Sequence, residues 1–165
     1  MSLREVRQRC ERLLKDIDLP DGFDAEVFRD AVAARRNRAI RLVARPQMVG
    51  PCGVLVSLPT TDYVFYEAST SQVHRDQIVA HELGHLLCDH VPRQRMSDEV
   101  IRVLLPDLDP VMVRSALART TYGEVDEQEA EMIASLALGR RQAATMPVDD
   151  PVMRRLRRTL GAGGA

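Results

Sequence analysis

The chain has 165 residues, 45% of them hydrophobic and 28% charged, with nine Gly and nine Pro, the make-up of one globular domain long enough to close a core. Against 24 acidic residues stand 23 basic ones, a formal charge of -1, which excludes a protein that coats nucleic acid or is steered to a membrane by charge. Cys10, Cys52 and Cys88 are too few, and odd in number, for a secreted disulfide scaffold. Met1–Arg12 is charged from Arg4 onward and lacks the apolar core of a signal peptide, and no stretch reaches the roughly eighteen apolar residues of a membrane span. The expectation is a cytoplasmic protein with no membrane and no direct nucleic-acid contact.

Leu3, Val6, Cys10, Leu13, Leu14 and Ile17 recur at helical spacing and predict an amphipathic helix over 3–17, broken by Pro20 to Gly22. Asp24 caps a second helix running to Arg36, with Phe23, Val27 and Phe28 available to pack. Strands follow at Arg38–Arg45, Gly53–Leu58 and Asp62–Glu67. The turn Pro59-Thr60-Thr61-Asp62 joins the last two as a hairpin.

The pattern then turns helical over Gln72–Asp89, ended by His90-Val91-Pro92. Ser97-Asp98-Glu99 caps a short helix to Leu105, Val111–Arg119 follows the turn between Pro106 and Pro110, and a longer helix runs from Glu124 to Ala143. Asp149-Asp150-Pro151 starts a terminal helix that turns Arg154, Arg155, Arg157 and Arg158 to solvent. Residues 161–165 form a disordered tail. Helices, a small sheet and more helices make the class α+β. The expected layout is one domain over 1–160: N-terminal helices at 1–37, the sheet at 38–67, helices of a candidate metal site at 72–144 and the terminal helix at 150–160.

All four histidines, His74, His81, His85 and His90, fall in the Gln72–Asp89 segment or at its ends. His81-Glu82-Leu83-Gly84-His85 is an H-E-x-x-H pattern. Residues four apart lie about 40° apart around a helix, so both imidazoles project to one side and can hold one Zn²⁺. Glu82, about 100° round from His81, stands beside the ion rather than on it, placed to take a proton from an activated water and pass it to a leaving amine. Val79, Leu83, Leu86 and Leu87 gather on the opposite face, so the back of the helix can be buried. Gly84, nearer the metal side, allows another backbone to approach. His74 lies about 10 Å along the axis from His81 and reads as a helix-start or cleft residue. His90 faces backwards and reads as a surface residue of the last turn, and Cys88 as a reduced core cysteine rather than a thiolate ligand.

A catalytic zinc site takes three protein ligands. A third histidine in H-E-x-x-H-x-x-G-x-x-H spacing is excluded, because position 88 is Cys and position 91 is Val. Glu124-Val125-Asp126-Glu127-Gln128-Glu129-Ala130-Glu131 supplies carboxylates instead. Glu127 and Glu131 share a face with Ala130 and Ala134, small residues that let this helix come close to the first. Glu124 lies on the flank, and Glu129 points about 160° away from Glu127 and Glu131 and is the poorest candidate. Met132, Ile133 and Leu136 make an apolar flank suited to the core.

Taken together, His-Glu-Leu-Gly-His-Leu-Leu at 81–87 and Glu-Gln-Glu-Ala-Glu-Met-Ile-Ala at 127–134 resemble the ImmA/IrrE-type metallopeptidases, whose pattern is H-E-L-G-H and then E-x-E-A-(N/D)-x-F-A on a second helix. The resemblance spans about residues 50–140 and includes Tyr63-Val64-Phe65-Tyr66 as a sheet strand. It implies a zincin-like fold, with a small, mostly antiparallel sheet, an H-E-x-x-H helix and a following glutamate-bearing helix. It also implies one Zn²⁺ per chain held by His81, His85 and Glu127, with Glu82 as general base. Glu131 takes the place of the family's Asn or Asp and is implied to orient a ligating imidazole. The chain departs from the pattern in Glu131, in Ile133 for an aromatic residue, in the long insertion 86–126, in lacking the Leu-Met-Pro ending and in lacking a helix-turn-helix domain.

The activity so implied is zinc-dependent endopeptidase action on a narrow regulatory substrate, a helix-turn-helix transcriptional repressor. One alternative on the same fold is a non-proteolytic antirepressor or toxin–antitoxin component that binds such a regulator. Another is a general zinc hydrolase of small substrates. Tyr122, Arg75 and His74 are the candidate helpers for an oxyanion. The Asp62–Glu67 strand is either a sheet edge, which would hold an extended peptide by backbone pairing, or an ordinary sheet strand.

Overall fold

Capping residues start the N-terminal helices where the sequence places them. The computed structural model describes residues 1–17, 19–20, 22–48, 52–58, 60–90, 94–95 and 117–145, as backbone alone at 94–95, 117–121 and 140–145. Helix α1, Leu3–Asp16, begins in a reciprocal box in which Ser2 N–H donates to Glu5 (2.7 Å) and Glu5 N–H to Ser2 Oγ (3.4 Å). It buries Val6, Cys10 and Leu14, one stripe at four-residue spacing. Helix α2, Ala25–Arg36, is capped by Asp24, which accepts from the backbone of Glu26 and Val27, and it ends at Asn37 in the left-handed region. Phe28 and Val32 carry it into the core.

Five strands form one sheet among the described residues, in the order β1-β3-β2-β5-β4: β1 Ala39–Arg45, β2 Gly53–Ser57, β3 Thr61–Glu67, β4 Gln94–Arg95 and β5 Leu117–Thr121. The expected hairpin is present, with β2 antiparallel to β3 at Val54 opposite Phe65 and Leu55 opposite Val64. Strand β1 runs parallel to β3, and the remaining pairs, β2 with β5 and β5 with β4, are antiparallel. The sheet is therefore mixed, and the class is α+β. Two expectations are corrected. Asp62–Glu67 is not an edge: β1 and β2 occupy both of its sides, so no peptide can pair there. Leu117 to Arg119 is strand and not helix, because pairing with β2 satisfies the backbone of both segments and overrides local preference. The sheet thus draws strands from beyond 38–67. The expected helices at Ser97–Leu105 and beyond Asp149, the first part of Val111–Arg119 and the tail at 161–165 lie outside the described residues.

Alternation divides the sheet's side chains. Leu55 and Val64 join the main core with the helices, while Val54, Val56 and Phe65 form a smaller cluster with Tyr63 and Val43. Helix α3, Gln72–Leu87, starts at Ser71, whose Oγ accepts from His74 N–H, and from Ile78 onward nearly every residue is buried. It packs between the sheet, α2 and helix α4, Glu124–Thr145, which runs two residues beyond the expected end. Helix α4 also packs on α1. No helix among the described residues is long and apolar enough to cross a membrane.

The crossing of α3 and α4 is made at backbone distance. A Cβ on Gly84 would stand 3.0 Å from the carbonyl oxygen and 3.1 Å from the Cα of Ala130, so α4 can lie against the glycine only because that side chain is missing. Ala130, Ile133, Ala134 and Ala137 are buried along the same helix. Valine at position 84 would gain a little helix propensity over glycine and lose more by forcing the backbones apart. Gly84→Val is expected to destabilise the fold by about 1–3 kcal/mol, measured as a fall in the urea midpoint at unchanged slope.

Candidate metal centre

The two helices converge on three donor atoms. His81 Nε2 lies 3.1 Å from His85 Nε2 and 3.3 Å from Glu127 Oε2, and His85 Nε2 lies 3.8 Å from the same oxygen. Four residues of separation place both imidazoles on one side of α3, and the Gly84–Ala130 contact brings Glu127 over them. A tetrahedral ion with bonds of about 2.0–2.1 Å separates its ligands by about 3.3–3.4 Å, a value that the three distances bracket. Two imidazole nitrogens and one carboxylate oxygen are also the donor chemistry of an open zinc site. These residues fit a metal ion.

Electrostatics act in the same direction. Burial, followed by neighbouring His81 and His85's other neighbour His90, pushes the His85 pKa down to about 2, so the ring is held in the neutral form that a ligand requires. Glu82 is buried on the sheet side of α3, where a Cβ on Gly53 would stand only 2.5 Å from its Oε1. Desolvation, and then the charge of Glu127, raises its pKa to about 8. A dication at the three donors would favour the ionised form again.

Glu131 Oε2 is 3.6 Å from His81 Nδ1, the ring nitrogen turned away from Glu127, so it stands beside the imidazole that the resemblance has it orient, beyond direct hydrogen-bond length. His74 is a helix-start residue: its ring Nδ1 meets Thr70 Oγ1 at 3.0 Å. Arg75 donates to Gln72 on its own helix. Tyr122 is buried with its ring stacked on His85, centroids 3.5 Å apart, so it holds the plane of a candidate ligand. Cys88 is buried and reduced, as expected.

His90 is a correction. Its side chain is 4% exposed and faces the centre, Nδ1 to Nδ1 with His85 at 3.0 Å. Extending helical angles past Leu87 turns it the wrong way, because the helix stops there. Asp89 takes a left-handed conformation (φ 55°), and the N–H groups of Asp89 and His90 donate back to the carbonyls of Leu86 and His85, the reversed ending known as a Schellman motif. Glu129 does point away from Glu127 and Glu131, as the helix angles require. It goes to His90 and to Arg9 of α1. The signal available in the sequence was the pairing of a histidine just past the H-E-x-x-H helix with a third glutamate on α4.

Compared with known protein families, with curated proteins and with solved structures, the chain matches none of them.

Two outcomes are expected of this geometry. Glu127→Ala should lower zinc affinity far more than Glu131→Ala, whose loss should stay within about 10–100-fold, measured by calorimetric titration. In the metal-free protein the Glu82 carboxyl is neutral in both states below its ordinary pKa of 4.5, whereas from there up to about 8 the folded chain keeps a proton that the unfolded chain has released. Stability therefore falls as pH rises through that window. Metal-free Glu82→Gln should match the wild type near the acid end of the window and exceed it by on the order of a few kcal/mol above the upper pKa, read from urea unfolding at the two pH values.

Proposed function

We propose that the chain is a zinc-dependent endopeptidase on a zincin-like fold, of the kind the ImmA/IrrE resemblance implies, acting on a protein regulator such as a helix-turn-helix repressor. The observation that carries this reading is the convergence of His81 Nε2, His85 Nε2 and Glu127 Oε2 within 3.1–3.8 Å, with Glu82 next in sequence and unused as a ligand.

His81, His85 and Glu127 would hold the ion. When bound, zinc supplies Lewis acidity toward a scissile carbonyl and toward water. Glu82 does the proton work. Its carboxylate accepts a proton from the attacking water and delivers it to the leaving amine, so the two half-steps return it to its starting state. A carboxyl whose pKa burial lifts toward the working pH is suited to both halves. Beside His81, Glu127 and Glu131 opens a groove of about 440 Å³, with Leu3 and Met132 supplying apolar wall. That volume and mixed lining suit a few residues of an extended peptide, which docks in this groove and not on β3.

The test separates chemistry from binding. Glu82→Gln should retain about one zinc per chain by elemental analysis and slow cleavage of a co-expressed regulator by about 10²–10⁴-fold. If the variant preserves the biological effect, sequestration of the regulator replaces proteolysis. Rapid hydrolysis of unrelated unfolded proteins by the wild type would instead point to a general hydrolase.

A further inference from the structure

Behind the three donors lies a second line of polar groups that the proposed chemistry leaves unused. Glu129 is 1% exposed, and its carboxylate is met from two sides. Arg9 Nη1 donates to both of its oxygens at 2.7 and 3.0 Å, and His90 Nε2 meets Oε2 at 2.9 Å. The other nitrogen of His90 meets His85 Nδ1 at 3.0 Å. A carboxylate beside a guanidinium can only accept, so His90 carries its proton on Nε2. With that one proton on His90, its Nδ1 is an acceptor, and His85 donates from Nδ1. That leaves the lone pair of His85 on Nε2, the atom that converges with His81 and Glu127. The Schellman ending of α3 makes the pairing part of the backbone, since it joins His85 and His90 through N–H and carbonyl at 3.0 Å.

We infer that His90 and Glu129 are positioning residues that fix the tautomer and orientation of His85, with Arg9 holding the carboxylate from α1. The inference rests on the reading of His81, His85 and Glu127 as a metal centre. Ligating imidazoles are commonly oriented by a carboxylate or a carbonyl on their far nitrogen; here a histidine is interposed, and the carboxylate lies one ring further out. Cys88, His90 and Glu129 also place donor atoms within 4.8 Å of one another, but they do not suit a second cation. Both oxygens of Glu129 already face the Arg9 guanidinium, and His90 spends one nitrogen on His85 and the other on Glu129.

The test uses the full chain labelled with ¹⁵N-histidine, first without metal and then titrated with zinc. Long-range ¹H–¹⁵N spectra of the metal-free wild type should show His85 protonated on Nδ1. His90→Phe, which keeps a ring and removes both nitrogens, should shift His85 toward the other tautomer and weaken zinc by about 10–100-fold. His90→Asn, whose amide oxygen stands near the position of Nδ1, should recover most of that loss, which a packing role would not. Glu129→Gln keeps the volume, removes the charge and should weaken zinc by about 10-fold, a second readout should the Phe variant fail to fold. The inference is overturned by His85 protonated on Nε2 in the metal-free wild type, by a folded His90→Phe that binds zinc like the wild type, or by His90→Asn no better than His90→Phe. It is equally overturned if the wild type holds two zinc ions and His90→Phe loses one. A wild type that binds no zinc but keeps His85 protonated on Nδ1 removes the metal reading alone and supports the positioning of His85.

Discussion

Everything at the candidate centre depends on how closely α4 can lie on α3. The approach is limited by backbone: the place of a Cβ on Gly84 is 3.0 Å from the Ala130 carbonyl oxygen. Helices carrying ordinary side chains at their contact pack with axes about 8–10 Å apart, and glycine facing alanine brings two helices to the near end of that range. Glu127 lies three residues before Ala130, one turn along the same face, so the contact that sets the spacing also sets the height of the carboxylate over His81 and His85. Ala134 and Ala137, buried further along, keep α4 seated at that distance.

A helix held so tightly must accommodate whatever polar groups it buries. Helix α3 carries Glu82 and His85 into the interior, and α4 carries Glu129 there. Each is accommodated differently. Without metal, Glu82 keeps its proton because desolvation, and then the charge of Glu127, oppose its ionisation. His85 stays neutral because burial and two other imidazoles oppose protonation. Glu129 is met by Arg9, whose guanidinium reaches in from the partly exposed side of α1. Buried charge is tolerable only when paired, and this pairing draws α1 into the centre although α1 contributes none of the three converging donors.

Much of this arrangement is legible in the sequence, for identifiable reasons. Period fixes α1, α2 and α3, and Asp24 marks the start of α2, because both signals act locally; Ser2 and Ser71 cap α1 and α3 in the same way, on backbone three residues away, as the structure adds. Four-residue spacing and small neighbours place Glu127 and Glu131 alike on the face toward α3, because these are helix properties; the resemblance alone singles out Glu127. Sheet order is not legible, since strand neighbours are chosen by long-range pairing. Helical angles carried past Leu87 misplace His90, because the helix ends before it. The residue that ends regular geometry, Asp89 with positive φ, does not stand out in the sequence, because even a several-fold enrichment leaves that conformation uncommon at any one aspartate.

The sheet enters the site through one missing side chain. Gly53 opens β2, and any Cβ there would stand 2.5 Å from Glu82 Oε1 and 2.8 Å from Ile78 Cγ2. Glu82 has no room to withdraw toward the sheet, and α3 cannot shift toward β2 without pressing the carboxylate into the strand. Gly84 imposes the corresponding limit on the side of α4. The H-E-x-x-H segment is therefore clamped between two glycine contacts, one behind the proton-carrying residue and one between the candidate ligands. In a close-packed interior such contacts transmit small displacements instead of absorbing them. The geometry of the three donors is thus set by backbone on both sides, and the part left to side-chain chemistry is the rotation and tautomer of each imidazole.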